Sequence, residues 1–241
     1  MKTIGVLGGL GPQATMDFEA RVHRVAQELV PQHGNVAYPP MVVYYFREIP
    51  VDLAGVSVTT FSPTDPAFRG GPPPANPHLL EAARGLGTMA DFLVIPSNGV
   101  HIWQREIEQA AGRPVLSMVD ATMAEIQRRS PRKVGIVDFR PPYMGVYSRP
   151  LDQVGIAWEV LPDDRLDAMY AAVVAVDEGR AGPEEGRLAQ DGVAYLRSRQ
   201  ADAILLACTE IPLMLPDGGD APDLINPVEF LAEAAVRFAV T

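Results

Sequence analysis

Asp202-Ala-Ile-Leu-Leu-Ala-Cys-Thr-Glu-Ile-Pro-Leu213 is the stretch from which the fold can be predicted. Its apolar run ends at Cys208, the only cysteine of the chain. A short apolar run bounded by polar residues is typical of a buried strand in a parallel sheet. The residue just past such a strand lies at its carboxyl end, where open α/β sheets bind ligands. A helix starting there would favour the thiolate of Cys208; the alternative is a buried apolar cysteine.

A second stretch, Asp91-Phe-Leu-Val-Ile-Pro-Ser-Asn-Gly-Val-His-Ile102, has the same plan. At an offset of 111 residues (208 minus 97), Ser97 aligns with Cys208. The strand near the N-terminus, Ile4 to Leu7, resembles the segment that begins at Val134, at an offset of 130 (134 minus 4). These two offsets predict a duplicated α/β unit. Because they differ by 19 residues (130 minus 111), the first copy should carry an insertion.

The predicted fold class is therefore α/β, with two similar Rossmann-like lobes related by pseudo-twofold symmetry and mostly parallel sheets. Internal symmetry of this kind would place Ser97 and Cys208 on opposite sides of an interlobe cleft, where we expect the active site. We predict an N-terminal lobe at 1–117, with a Pro/Gly-rich insertion at 55–77, and a C-terminal lobe at 118–225. A helix at 226–241 would follow and could pack back on the first lobe.

Composition limits the partners. The 241 residues are 47% hydrophobic and carry a formal charge of −10, with a pI of about 4.8. This balance argues against nucleic acid and anionic membranes as partners and leaves a small-molecule substrate. A single cysteine is compatible with a reducing compartment. The chain has neither an apolar run of transmembrane length nor a signal-peptide pattern, so we expect a cytoplasmic protein.

The first strand leads into a glycine-rich turn, Gly8-Gly9-Leu10-Gly11-Pro12. Gly9 and Gly11 allow the backbone to approach a ligand closely, and Pro12 suits the first position of a helix. A helix start of this kind is suited to a carboxylate or phosphate. The dinucleotide pattern Gly-x-Gly-x-x-Gly is not met. In the second half, Arg140 is a candidate anion contact, with a solvated arginine as the alternative.

These residues together resemble the cofactor-independent aspartate/glutamate racemase family. The resemblance rests on three segments spread over nearly the whole chain: 4–15 (Ile-Gly-Val-Leu-Gly-Gly-Leu-Gly-Pro, then Ala-Thr), 119–122 (Val-Asp-Ala-Thr) and 207–213 (Ala-Cys-Thr-Glu-Ile-Pro-Leu). It implies two α/β lobes with the site between them, an isomerase that acts on an amino-acid or related carboxylate substrate, and a homodimer. It also implies that neither pyridoxal phosphate nor a metal is used.

The family's chemistry needs one base for each face of the α-carbon, and family members typically use two cysteines. The resemblance places these bases at Ser97 and Cys208, with His101 and Glu210 as further catalytic candidates. Donors fixed before reaction are needed to stabilise the developing carbanion. Besides Gly9 and Gly11, the candidate substrate-binding residues are Asn98, Gly99, Thr209, Arg47 and Arg140.

Three departures from the family pattern bear on function. Ser97 replaces the first cysteine, and a serine hydroxyl is a poorer base than a thiol. In the family's Pro-Asn/Cys-Thr-Ala-His motif, Asn98 and His101 match, but Gly99 replaces the threonine; His101 could also be a capping or core histidine. The arginine of the family's Ile-Pro-Asp-Arg motif is missing, and Arg47 could substitute for it.

Three functions fit these observations. The first is an amino-acid racemase or epimerase in which Cys208 is the principal base, and its activity could be one-sided. The second is a single-cysteine decarboxylase or isomerase of a malonate-like carboxylate. The third is a catalytically impaired carboxylate-binding protein.

Overall fold

The structure is a computed structural model that describes residues 1–51, 74–139 and 145–241. Most of the insertion expected at 55–77 and the candidate anion contact Arg140 lie outside the described residues. No helix within the described residues combines the length and the apolar character that a bilayer crossing requires.

The first half builds a four-stranded sheet in the order β2-β1-β3-β4, and each of these pairings is parallel. The strands are β1 (Ile4–Gly8), β2 (Met41–Tyr45), β3 (Phe92–Val94) and β4 (Val115–Leu116). The helices are α1 (Pro12–Leu29), α2 (Pro77–Gly87), α3 (Gln104–Ala111) and α4 (Met118–Arg129), and a 3₁₀ turn covers Gly99–Trp103.

The second half repeats this plan with a parallel sheet in the order β6-β5-β7-β8. The strands are β5 (Lys133–Val137), β6 (Ala157–Val160), β7 (Ala203–Leu206) and β8 (Leu224–Ile225). The helices are α5 (Ser148–Gln153), α6 (Asp163–Asp177), α7 (Pro183–Ser198), α8 (Ile211–Met214) and α9 (Pro227–Val240). The predicted α/β class with mostly parallel sheets is confirmed.

Strand register shows the duplication directly. In the first sheet Ile4 lies opposite Phe92, and in the second Val134 lies opposite Ala203. These two pairs are related by the offsets of 130 and 111 that the sequence indicates. A side-chain contact is repeated as well: the Thr3 N–H donates to Asp91 at 2.7 Å, and the equivalent Lys133 N–H donates to Asp202 at 2.9 Å.

The first sheet is buried on both faces, as parallel sheets usually are. Ile4 and Val6 pack in one apolar cluster with residues of α1 and α9. Leu7 and Leu93 belong to a second cluster with residues of α2 and α3. The second sheet has its own core, in which Ile204 and Leu206 pack with residues of α6, α7 and α8.

Two compact units result. Over the described residues, the first comprises residues 1–51, 74–121 and 228–241, and the second comprises 122–139 and 145–227. The C-terminal helix α9 thus belongs to the first unit. Arg21 of α1, which is buried, connects these helices by donating to Glu229 of α9 at 2.8 Å and to Asp17 of its own helix at 2.8 Å.

Two positions differ from what their residue types predict. The apolar side chain of Met16 predicts a place on the buried face of α1, yet it is 55% exposed, because Ala14, Phe18 and Val22 define that face. Asp120 is of a residue type that often caps helices and predicts the start of α4, but that helix begins at Met118. The capping group is the Ser117 hydroxyl, which accepts the Asp120 N–H at 3.0 Å.

Candidate active site

Cys208 follows β7 at the carboxyl end of the second sheet, as the sequence predicts. Its side chain is buried, and Sγ donates to Oε2 of Glu210 at 2.9 Å. The hydroxyl of Thr209 donates to the same oxygen at 3.0 Å. Because Thr209 and Glu210 are also buried, both donors share one carboxylate oxygen away from bulk water. This carboxylate is the obvious acceptor for a proton leaving the thiol.

The helix expected after Cys208 is a single turn, α8, for which Glu210 is the N-terminal flanking residue. The first backbone N–H of that turn, from Ile211, donates to the carbonyl of Cys208 at 3.2 Å rather than to its sulfur. A carboxylate, that of Glu210, is thus in direct contact with the thiol.

Asp177 at the end of α6 is a further titratable group that acts on this cluster. Burial, followed by the negative charges of Glu210 and Glu178, raises the pKa of the Asp177 carboxyl to about 7. Asp177 is not among the residues predicted for the site. A signal was present: Asp177 continues the spacing of four that joins Met169 and Val173 on the buried face of α6.

Ser97 occupies the equivalent position after β3 and is half-buried. Its N–H donates to the carbonyl of Ile95 at 2.8 Å. Its own carbonyl lies 2.8 Å from Nδ1 of His101. Ser97 is thus held in place by hydrogen bonds of its backbone.

His101 spans two backbone segments. Nε2 accepts the Met118 N–H at 3.0 Å, so the ring proton must lie on Nδ1, which donates to the Ser97 carbonyl. Burial lowers the pKa of this imidazole and favours the neutral ring. With both ring nitrogens bonded to the backbone, the geometry favours the core interpretation of His101 over a proton-transfer role.

Asn98 and Gly99 complete the first-half segment. Asn98 is buried, and its carbonyl accepts the His101 N–H at 3.2 Å. Gly99 opens the 3₁₀ turn. The equivalent positions in the second half are Thr209 and Glu210. Glu210, which accepts the hydrogen bond of the Cys208 thiol, therefore has Gly99 as its counterpart in the first half.

The glycine-rich turn lies at the same carboxyl edge of the first sheet. Gly9 has φ +79°, and a Cβ there would lie 2.6 Å from the backbone nitrogen of Phe46. The Gly9 N–H donates to the Thr15 hydroxyl at 2.9 Å, and this hydroxyl donates to the Gly11 carbonyl at 3.0 Å. Gly11 then precedes α1, which has Pro12 in its first turn as predicted.

Arg47, proposed as a replacement carboxylate contact, follows β2 at the same edge. It is exposed, and its guanidinium stacks over the ring of Tyr45 at 4.8 Å. The Tyr45 hydroxyl donates to Glu19 at 2.9 Å. Arg140, the other arginine candidate, falls outside the described residues.

The fold places this chain among α/β proteins built from two similar units, each of which contains a parallel sheet. The chain belongs to the Asp/Glu/Hydantoin racemase family, whose model matches residues 7–235. It is 25% identical over 241 residues to the broad specificity amino-acid racemase RacX of Bacillus subtilis, covering 97% of this chain and 96% of that protein.

Solved structures share the fold. The Picrophilus torridus aspartate racemase superposes with a TM-score of 0.76 at 20% identity, over 100% of this chain and 95% of that one. An aspartate racemase homologue from Pyrococcus horikoshii gives a TM-score of 0.71 at 19% identity, over 100% of both chains.

Proposed function

We propose that this protein is an amino-acid racemase or epimerase that works without pyridoxal phosphate and uses Cys208 as its principal base. The observation that carries the proposal is the buried Cys208 thiol bonded to the Glu210 carboxylate in a member of a racemase family. Proton transfer from Sγ to Oε2 leaves a thiolate, which can then take the α-proton of a bound amino acid. Return of a proton from the other face completes inversion.

Ser97 is the proposed partner for the opposite face, since it occupies the position equivalent to Cys208. A hydroxyl is a much weaker acid than a thiol and a poor base at neutral pH, so the Ser97 side should exchange protons slowly. The expected enzyme deprotonates one enantiomer readily and the other poorly.

The proposed substrate is an amino acid that need not carry a second carboxylate. Val51 and Asp52 stand where the family motif would lead to its arginine, and the loss of a bidentate guanidinium weakens selection for a side-chain carboxylate. The relative from Bacillus subtilis is named as a broad specificity racemase. We therefore expect neutral and basic amino acids among the substrates. Gly9, Gly11, Asn98 and Thr209 are each proposed as contacts of the substrate carboxylate.

The test is proton NMR in D₂O with both enantiomers of a panel of acidic, neutral and basic amino acids. Loss of the α-proton signal reports deprotonation even when inversion is slow. Exchange from one enantiomer, abolished by Cys208→Ala and retained by Ser97→Ala, supports a one-sided base at Cys208. Ser130→Ala is a matched serine control, since Ser130 is exposed and bonds only the backbone of its own helix end.

Other results redirect the assignment. Full exchange in Cys208→Ala contradicts the role of Cys208. No exchange with any amino acid contradicts the racemase proposal, and substituted malonates are then tested for the decarboxylation that one cysteine could support.

A further inference from the structure

We propose that the second unit carries a further amino-acid site, separate from Cys208, in which an amino acid with an apolar side chain binds as a zwitterion between Arg197 and Asp217. The site is a cavity of about 300 Å³, whose walls come from α7 and from the segment that joins α8 to β8. This volume lies at the lower end of the range for small-molecule sites, which suits a ligand of amino-acid size. The inference does not rest on the proposed function, because none of these residues takes part in the proposed proton transfer.

The charged part of the cavity lies at the opposite edge of the sheet from Cys208. Asp223 directly precedes β8, and its carbonyl accepts the N–H of Ile204, near the start of β7, at 2.8 Å. The Asp223 carboxylate is bonded to Arg197 of α7. Because Cys208 follows the carboxyl end of β7, a ligand bound to Arg197 does not occupy the position of the proposed α-proton transfer.

The floor of the cavity is apolar and is firmly held. Val193, Leu215 and Leu224 are buried and belong to the core cluster of the second unit. Ala194, which is exposed on α7, extends this apolar surface. The Leu224 carbonyl accepts the guanidinium of Arg129 from α4 at 2.9 Å, which fixes the wall formed by β8. Covering this floor with an apolar side chain removes apolar surface from water and is therefore favourable.

Two opposite charges on the rim supply the contacts for a zwitterion. Arg197 donates from Nε and Nη2 to the two oxygens of Asp223, each at 2.7 Å, and Nη1 has no hydrogen-bond partner among the described residues. Asp217 accepts the Gly219 N–H on Oδ1 at 3.1 Å, and within the same part of the chain Oδ2 accepts no hydrogen bond. Nη1 can thus donate to a carboxylate, and Oδ2 can accept from an ammonium.

Arg197 and Asp217 act on each other without forming an ion pair. The hydrogen bonds with Asp223, followed by the charges of Asp223 and Asp217, raise the pKa of the Arg197 guanidinium against an opposing effect of burial. Among the described residues, the ion pair of Arg197 is with Asp223 and not with Asp217. The two rim charges are therefore close enough to bind one small ligand and too far apart to satisfy each other.

This arrangement distinguishes an amino acid from simpler ligands. An amino acid carries an ammonium and a carboxylate on one carbon, so it matches both rim charges while its side chain covers the floor. An amine leaves the guanidinium without a carboxylate, and an acid leaves Asp217 without a cation. Gln190, which also lines the cavity, adds an amide beside these charges.

The test observes the cavity itself by NMR of protein labelled with ¹³C at the methyl groups of leucine and valine. The signals of Val193, Leu215 and Leu224 are assigned by single substitutions. Titration with at least one enantiomer of leucine is expected to shift these three signals saturably. 4-Methylpentanoate and isopentylamine keep the side chain but lack the ammonium or the carboxylate. Each is expected to bind about tenfold more weakly or worse, since it loses a charge-assisted hydrogen bond.

Matched variants test the two rim charges and the cavity separately. Asp217→Asn keeps the size of the side chain and should weaken leucine binding about tenfold or more, whereas Asp191→Asn, at an exposed aspartate of α7 outside the cavity, should not. Arg197→Met and Arg187→Met form the corresponding pair for the guanidinium, since Arg187 is exposed on the same helix outside the cavity. Ala194→Leu, at an exposed helix position, fills the cavity without changing a charge and should abolish the shifts even if a charge variant does not fold.

The inference is overturned if leucine leaves the three signals unshifted at about 10 mM, a concentration that fills sites with a Kd up to ~1 mM. It is also overturned if isopentylamine or 4-methylpentanoate binds as tightly as leucine, or if Asp217→Asn and Asp191→Asn bind leucine equally well. The proposed function fails separately. Methyl shifts in a protein that exchanges no amino-acid α-proton support this site and contradict the racemase proposal, whereas exchange without these shifts contradicts this site and supports that proposal.

Discussion

Gly9→Ala tests the geometry of the glycine-rich turn against a control that the chain itself provides. Gly9 has φ +79°, and a Cβ there would lie 2.6 and 2.7 Å from the backbone nitrogen and oxygen of Phe46. Gly112 has a similar φ of +60°, yet a Cβ there meets nothing within 4 Å. The two substitutions therefore share the backbone strain and differ in the clash.

The expected loss of stability follows from these contacts. An alanine held at positive φ costs about 1 kcal/mol, which is the whole effect expected for Gly112→Ala. At Gly9 the clash is with backbone, which cannot rotate away, and overpacking of this kind costs typically about 1–3 kcal/mol. Moving Phe46 also strains its N–H bond to the Gly8 carbonyl, 2.8 Å long and worth about 1 kcal/mol. Gly9→Ala should therefore lose about 3 kcal/mol or more.

The assay is thermal unfolding of both variants beside the wild type. In a protein of this size, 1 kcal/mol shifts the melting temperature by roughly 2–4 °C. We expect a fall of roughly 6 °C or more for Gly9→Ala and roughly 2–4 °C for Gly112→Ala. If the two variants melt within about 2 °C of each other, the close approach of the turn to Phe46 is refuted.

Three further predictions concern stability. The raised pKa of Asp177 means that its contribution is present below the unfolded value of 3.8 and is lost as pH rises toward about 7. Asp177→Asn should thus have the same melting temperature as the wild type near pH 4. Near pH 8 it should melt at a higher temperature, with a free energy of unfolding that is larger by roughly 2 kcal/mol after allowance for solvent screening; equal melting temperatures at pH 8 would contradict this. His101→Leu should lose about 2 kcal/mol by leaving buried backbone groups unpaired, and His101→Asn, which keeps a donor near the position of Nδ1, should recover part of it in the same denaturation assay. Arg21→Met should destabilise by about 2 kcal/mol, because it removes the buried partner of Glu229, whereas Arg24→Met, at a half-exposed arginine that bonds the same carboxylate, should lose less than about 1 kcal/mol in urea unfolding. Equal losses for the two arginines would show that burial does not decide the strength of these pairs.

The strands and the correspondence between the two halves could be predicted because they depend on local apolar runs that occur twice. Offsets of 130 and 111, read from sequence alone, match the pairing of Ile4 with Phe92 and of Val134 with Ala203. The position of Cys208 at the end of β7 followed from the same pattern. Such features need only the order of apolar and polar residues, which the sequence states directly.

The remaining features depend on contacts between distant segments. His101 accepts an N–H from Met118, 17 residues away, and no spacing rule indicates that its second nitrogen is bonded. The charge of Glu210 that helps to raise the pKa of Asp177 comes from a residue outside α6, so the sequence of that helix does not indicate it. Met16 shows the opposite error, since an apolar residue was assigned to the buried face of α1 from its type although the helical spacing places it outside.

The duplication conserves the backbone of the two halves more closely than their chemistry, and this difference bears on how one-sided the enzyme should be. Ser97 corresponds to Cys208, and two positions on, Gly99 corresponds to Glu210. The first half therefore lacks, at that position, both the acidic sulfur and the carboxylate that would receive its proton. Restoring only the sulfur, as in Ser97→Cys, supplies a better acid and no equivalent acceptor. The α-proton exchange of the poorly used enantiomer should consequently rise only in part in Ser97→Cys, and it should rise further when Gly99→Glu is added. Full recovery with Ser97→Cys alone would show that the carboxylate in the second half is not needed to generate the thiolate, and that the sulfur by itself sets the rate.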